Sequence, residues 1–369
     1  MPAPTLADRI RGSVLGVAIG DALGAPFEFR PVAALCAETG RDWLDRLYPS
    51  TGGIHQHGLW RERAPAGTGT DDTRYLYLFL RLAAELGRLP DARAWAELCL
   101  DIYAHPGALF PGHEALCAAQ FHDWEPACRG YLGQPSAVFP GVAPDVLRTI
   151  AFGNLPVLLG LIVLPCAGAC YPGQPERAYL AAYEADFADL AYAREAVAFL
   201  AAALSLALAE PEPPLDLIAR AAAVDPLHTR RAMDYPMVIR DNLPAFCRRY
   251  AASASDRAAA ASLSADLAPL PPMEAFKTLA IACSALVAAP ADPVRALAIA
   301  ANHTTLGEDP AFQDIDCYAA ITGALAGALH GVQAWPPDLV ATVLDANRDV
   351  YGIDLEAAID AFVQRFGGD

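Results

Sequence analysis

Four oxygen-bearing side chains stand in a row within GTGTDDTR, residues 67–74: Thr70, Asp71, Asp72 and Thr73. One aspartate would suffice to cap a helix and to meet its dipole. Two adjacent carboxylates flanked by threonines supply more hard oxygen than a cap uses. Mg²⁺, Mn²⁺ or Ca²⁺ takes such donors, whereas zinc prefers His and Cys. A second acidic knot, Asp314-Ile315-Asp316-Cys317, stands far along the chain before a glycine-spaced apolar run. Positions two apart lie about 200° around a helix, so Asp314 and Asp316 converge only where the backbone is irregular, as at a helix start. Asp21 and Glu28 are two further carboxylates placed for chemistry. Asp21 continues the apolar line of Leu6, Ile10, Val14 and Val17. A carboxylate aimed into a core is costly unless it is paired or metal-bound.

The elements that must carry these residues read as helices. Thr5 and Asp8 form a capping-box pattern at the start of the first one, and Pro26 ends it, leaving Glu28 just beyond. Gly12, Gly16, Gly20 and Gly24 recur every fourth residue, as do Gly323, Gly327 and Gly331. Two such bare ridges allow close backbone approach, and their packing would draw Asp21 and Glu28 toward Asp314 and Asp316. Residues 30–69 read as loop. From Thr73 onward the spacing predicts helices to Gly87 and then over about 92–104, 114–129, 143–153, 155–169, 175–209, 215–223, 237–262, 272–288, 291–302, 317–331, 336–347 and 354–366. Alternating strands and internal repeats are lacking, so the fold expected is all-α, one compact multi-helix domain spanning 1–369.

Composition agrees. Of 369 residues, 54% are hydrophobic and 19% charged, enough to bury a large core. The formal charge of −17 opposes a phosphate backbone, so no nucleic-acid partner is expected, and the basic runs stop at Arg230-Arg231 and Arg248-Arg249. Asp8, Arg9 and Arg11 interrupt any signal-like apolar stretch, and no membrane span is expected. Nine scattered cysteines without a CxxC framework fit a reducing cytoplasm. His55 and His57 read as loop histidines, and His122 beside Trp124 as packing. Glu184, Asp186, Asp189, Arg194 and Glu195 read most simply as a solvated helix face. Were that face to line a cleft, Asp186 and Arg194 would be the substrate contacts.

GSVLGVAIGDALGAPFEF, GTGTDDTR and QDIDCYAAITGALAGALHG resemble, in that order, the three signature segments of the ADP-ribosylglycohydrolase family. The resemblance spans residues 9–331 and is specific in those segments. It implies an all-α domain around a central site for two Mg²⁺ or Mn²⁺ ions, with Thr70, Asp71, Asp72, Asp314, Asp316 and the position of Cys317 as ligands. It implies hydrolysis of the glycosidic bond of an ADP-ribosyl group on a protein or small molecule, with the metals holding the distal ribose hydroxyls. Glu28 matches an acidic residue that takes part in catalysis in some members; Glu28, Asp72 and Asp21 are the carboxylates available, with Glu28 or Asp72 as the base. Three departures stand out. Cys317 is a soft ligand where Thr or Ser is common, which weakens the second ion. Ile315 replaces a small hydroxyl residue. FGNLPVLLG lacks a Gly-Asn-Gly…Met-Arg pattern, so the adenine-proximal pocket is expected to differ, and a smaller ribosyl substrate fits as well. The alternative expected from Cys317 and this segment is a weakly active or inactive ADP-ribose-binding or immunity-type protein of the same fold. A DDxxD prenyl-diphosphate site is excluded, because Thr, Arg and Tyr occupy 73–75.

Overall fold

Thr5 caps the first helix, Leu6–Gly24, in the expected capping box: its side chain accepts from Asp8 N while the Asp8 carboxylate accepts from Thr5 N. The computed structural model describes residues 3–150, 156–228 and 237–368. Among these residues the chain forms seventeen α-helices and no strand, only isolated bridges such as Pro31 with Ala311.

The first helix and the helix Ile315–His330 form the central pair, each buried over almost its whole length. Their glycine ridges meet backbone to backbone. A Cβ added at Gly16 would stand 2.1 Å from Gly323 O, and one at Gly327 would stand 2.0 Å from Gly12 O. No side chain larger than hydrogen fits at these positions without parting the helices. At the far end of the ridge, Gly24 abuts the backbone of Asp316, which brings the end of the first helix to the second acidic knot. The ridge pairing expected from spacing is the feature that positions the site.

Around this pair the helices Asp71–Leu86, Tyr192–Ala209, Ala275–Ala288 and Pro293–Ala301 complete one continuous core. Tyr192–Ala209 is long and apolar enough to cross a membrane by composition, and it is largely buried inside the fold.

Four expectations need correction. Residues 32–39 form a helix within the stretch read as loop; Pro31 precedes it and Gly40, at φ 71, ends it. The segment 175–209 is two helices, Pro175–Ala185 and Tyr192–Ala209. Asp186 and Asp189 break it by accepting backbone N–H groups of Asp189 and Gly160. The segment 237–262 divides into Val238–Arg248 and Asp256–Asp266, the latter capped by Ser255. The run 155–169 holds only the short helix Leu159–Val163 and a 3₁₀ turn at Ala167–Cys170, because Pro165 and Gly168 interrupt it. The helix predicted over 143–153 is seen as Pro144–Ile150. Its last residues, residues 152–155 of FGNLPVLLG and the pair Arg230-Arg231 lie outside the described residues.

Candidate metal centre and cleft

Thr70 is the N-cap of the helix Asp71–Leu86, accepting from Asp72 N, so both aspartates of the first knot sit in its first turn. The glycines before it serve two needs. Gly67 holds φ 94 in the left-handed region, and a Cβ at Gly69 would fall 2.4 Å from Asp21 Oδ2. Asn347 clamps this turn, receiving Gly69 N and donating to Gly67 O. Arg74, buried, ties the preceding loop down. It donates to Gln56 O, Gly58 O, Gln120 and Tyr351 and lies over the Trp60 ring.

Asp21 is fully buried under the turn, and both of its oxygens are occupied. Thr70 N, Thr70 Oγ1, Thr73 N and Thr73 Oγ1 all donate to it. These donors offset the cost of burying the charge. Asp21 does not line the cleft; with its four donors it holds the turn of the first knot in place.

The second knot converges as the irregular start of a helix allows. Asp314 is the N-cap of Ile315–His330 and Asp316 lies in its first turn. The ligand atoms of Asp314, Asp316 and Cys317 lie within 4.8 Å of one another. Thr70 Oγ1 reaches Asp316 at 3.2 Å, and Cys317 Sγ faces Asp72 Oδ1 at 3.5 Å, so the two knots form one cluster. Asp72 Oδ2 and Asp314 Oδ2 are buried with no hydrogen-bond partner. Burial, then the charges of Asp316 and Asp314, push Glu28 well above the ordinary glutamate range. Burial first and the facing carboxylates second likewise push up Asp72 and Asp316, and Asp314 rises to about 7. Carboxylates crowded in this way ionise together only with cationic charge among them. Unpartnered hard oxygens and mutual repulsion make this cluster one that could hold a metal ion.

Above the cluster opens a cleft of about 510 Å³. Glu28, Asp71, Asp314, Asp316 and Cys317 form its acidic end, with Asp72 and Thr70 buried beneath. Val157, Leu158, Leu159, Ile162 and Met273 form an apolar wall.

The chain belongs to the ADP-ribosylglycohydrolase family. The model of that family, described as ADP-ribosylglycohydrolase, matches residues 2–369. A solved structure described as an ADP-ribosylglycohydrolase-related protein complex is similar in fold, with a TM-score of 0.58 over 98% of each chain at 22% identity. No curated protein sequence matches significantly. A glycohydrolase-type activity follows for this family member in general terms.

Two expected substrate contacts are elsewhere. Asp186 and Asp189 are buried rather than solvated, and neither Asp186 nor Arg194 lines the cleft. Arg194 is turned to Tyr183, donating to its carbonyl and lying over its ring. Conversely, His57 and Asp123 do line the cleft. His57 Nε2 meets Asp123 at 2.9 Å and Nδ1 lies 3.5 Å from Asp71. Burial opposes its protonation, yet hydrogen bonds to both carboxylates outweigh burial and raise it to about 9. His57 followed by Gly58 carried no signal of this, because its partner Asp123 is brought from a distant helix, Glu114–Tyr131.

Proposed function

We propose that this protein is a metal-dependent hydrolase that cleaves the glycosidic bond of an ADP-ribosyl or related ribosyl group. The observation that carries the reading is the buried carboxylate cluster at the cleft floor, with unpartnered oxygens on Asp72 and Asp314. Thr70, Asp71, Asp72, Asp314, Asp316 and Cys317 would hold Mg²⁺ or Mn²⁺, two ions at full occupancy, with the softer Cys317 weakening one position. Bound there, the ions would supply the Lewis acidity that orients a ribose diol and acidifies water.

Glu28 is the proton acceptor of this scheme. It lines the cleft, beside the cluster, whereas Asp72 lies beneath it as a ligand. The apolar residues that share the cleft lower the polarity around the carboxylates, which would strengthen their hold on an oxocarbenium-like transition state. His57 and Asp123 border the same space and would be candidates for contact with the leaving group.

The test is hydrolysis of Arg-, Ser- and nucleobase-linked ribosyl substrates with Mn²⁺, for wild type, Asp71→Ala and Glu28→Gln. Metal-dependent release that is lost in both variants is expected, with Glu28→Gln still binding Mn²⁺. Failure of every linkage with Mn²⁺ bound would replace this reading with a binding protein of the same fold.

A further inference from the structure

Among the described residues lining the cleft, Cys317 is the sole cysteine. It follows Asp316 in the first turn of Ile315–His330, and its N–H donates to Asp316 Oδ1 at 2.9 Å. Its Sγ and the carboxylate oxygens of Asp314 and Asp316 lie within 4.8 Å of one another. From the other knot, Asp72 Oδ1 faces the sulfur at 3.5 Å. Carboxylates from both knots therefore surround one thiol.

A buried cysteine beside acids is not by itself a metal ligand, because a small thiol packs well and can donate to a carboxylate. The oxygens around this one point to an ion. Asp72 Oδ2 and Asp314 Oδ2 have no hydrogen-bond partner, and the two residues are 1% and 2% exposed. The single S–H is directed at Asp72 Oδ1 and leaves both of those oxygens unserved. A cation reached by the sulfur, Asp72 and Asp314 would serve all three groups. The spacing agrees: a tetrahedral ion bonded to sulfur at about 2.3 Å and to oxygen at about 2.1 Å sets those two ligand atoms about 3.6 Å apart. The type of ligand then selects the ion. Mg²⁺ and Ca²⁺ take oxygen and gain little from sulfur, whereas a thiolate favours softer transition ions.

We propose that the position between Cys317, Asp72 and Asp314 takes a transition ion of the Zn²⁺ or Co²⁺ class through a thiolate bond, beside a harder Mg²⁺ or Mn²⁺ held by the remaining oxygen ligands. The inference rests on the reading above, in which these acids hold metal. On binding, the S–H bond breaks, its proton passes to solvent and the sulfur's electron pair forms the bond to the ion. No oxidant or reductant takes part.

The experiment is titration of the full chain with Co²⁺ and, separately, with Mg²⁺, followed by absorption and calorimetry, for wild type, Cys317→Ser and Cys317→Thr. A Co²⁺–thiolate bond gives an intense near-ultraviolet charge-transfer absorption that Co²⁺ held by oxygen alone lacks. That absorption is expected in wild type and absent from both variants. Co²⁺ affinity should fall about tenfold or more in the variants, while Mg²⁺ affinity holds or rises. Mg²⁺ uptake by the variants also shows that they are folded. Co²⁺ bound by wild type without the absorption overturns the proposal, as does an absorption that survives in both variants or a Co²⁺-to-Mg²⁺ affinity ratio that they leave unchanged. Absent uptake of every divalent ion is a separate result, which refutes the metal-dependent reading itself.

Discussion

Gly20→Ala tests the device that builds the site. A Cβ there would stand 2.2 Å from Ala319 O and 2.3 Å from Ala319 C, both backbone atoms of the facing helix. To restore ordinary contact the two helices must part by about 1 Å. In an exposed helix the same change would gain about 1 kcal/mol of propensity. Overpacking costs about 1–3 kcal/mol, and the upper end applies because neither side can yield by a rotamer change. The net expectation is a loss of about 2 kcal/mol in urea unfolding. The displacement also moves Asp21, the next residue, relative to Asp316, so Mn²⁺ affinity should fall about tenfold or more. Gly12→Ala is the comparison. It faces Gly327 and Gly331, two helical turns from the metal end, and should lose stability while keeping Mn²⁺ affinity. Gly53→Ala, with no atom within 4 Å of the added carbon, should stay within about 0.5 kcal/mol of wild type. A Gly20→Ala protein with unchanged stability and Mn²⁺ affinity would refute the coupling of ridge and site. So would Gly12→Ala lowering Mn²⁺ affinity equally.

Asp21→Asn keeps the shape but places an amide among four donors from Thr70 and Thr73, so Mn²⁺ affinity should fall about 10- to 100-fold although Asp21 is no ligand; unchanged calorimetric affinity would contradict its bracing role. Cys317→Thr replaces a thiol with a hard hydroxyl, and Mg²⁺ titration should show the weaker site filling at lower concentration; a stoichiometry and affinity equal to wild type would remove Cys317 from the ligand set. Burial lowers Lys277 to about 8 from an ordinary 10.5. The native state therefore releases this proton before the unfolded chain does, and native stability carries a penalty below pH 8 that is relieved as pH rises toward 10.5. In metal-free protein, wild type should gain on Lys277→Met across that window, by at most about 3 kcal/mol in urea unfolding. A difference that is flat with pH would show that burial does not shift the amine between the native and unfolded states.

The parts of this site that rest on local chemistry were legible in the chain. Thr70 caps because a hydroxyl followed by two acids before an apolar stripe has few other uses, and Gly87 ends that helix at φ 65. The four-residue glycine spacings at 12–24 and 323–331 identified the central pair because only a facing backbone gives such a ridge a purpose. The helix breaks were not legible. Alanine-rich sequence on both sides of 186–191 favours helix, and what stops it is the pull of buried Asp186 and Asp189 on backbone donors, one of them Gly160 on another element. His57 was illegible for a related reason: a loop histidine acquires meaning only when Asp123 is set beside it.

Asp21 shows how far reading a residue by its burial cost reaches. A carboxylate on an apolar helical line does demand compensation, and that much leads correctly to the acidic site. The compensation comes from backbone and hydroxyl donors of the TDDT turn, which leaves no lone pair directed at the cleft. Burial cost alone cannot distinguish a group that does chemistry from one that holds such a group in place. Among the acids of this cluster, buried unpartnered oxygen is found on Asp72 and Asp314. Those two atoms, one from each knot, are where cationic charge would be most needed, and under the proposed function they mark the candidate metal site more sharply than the number of aspartates around it.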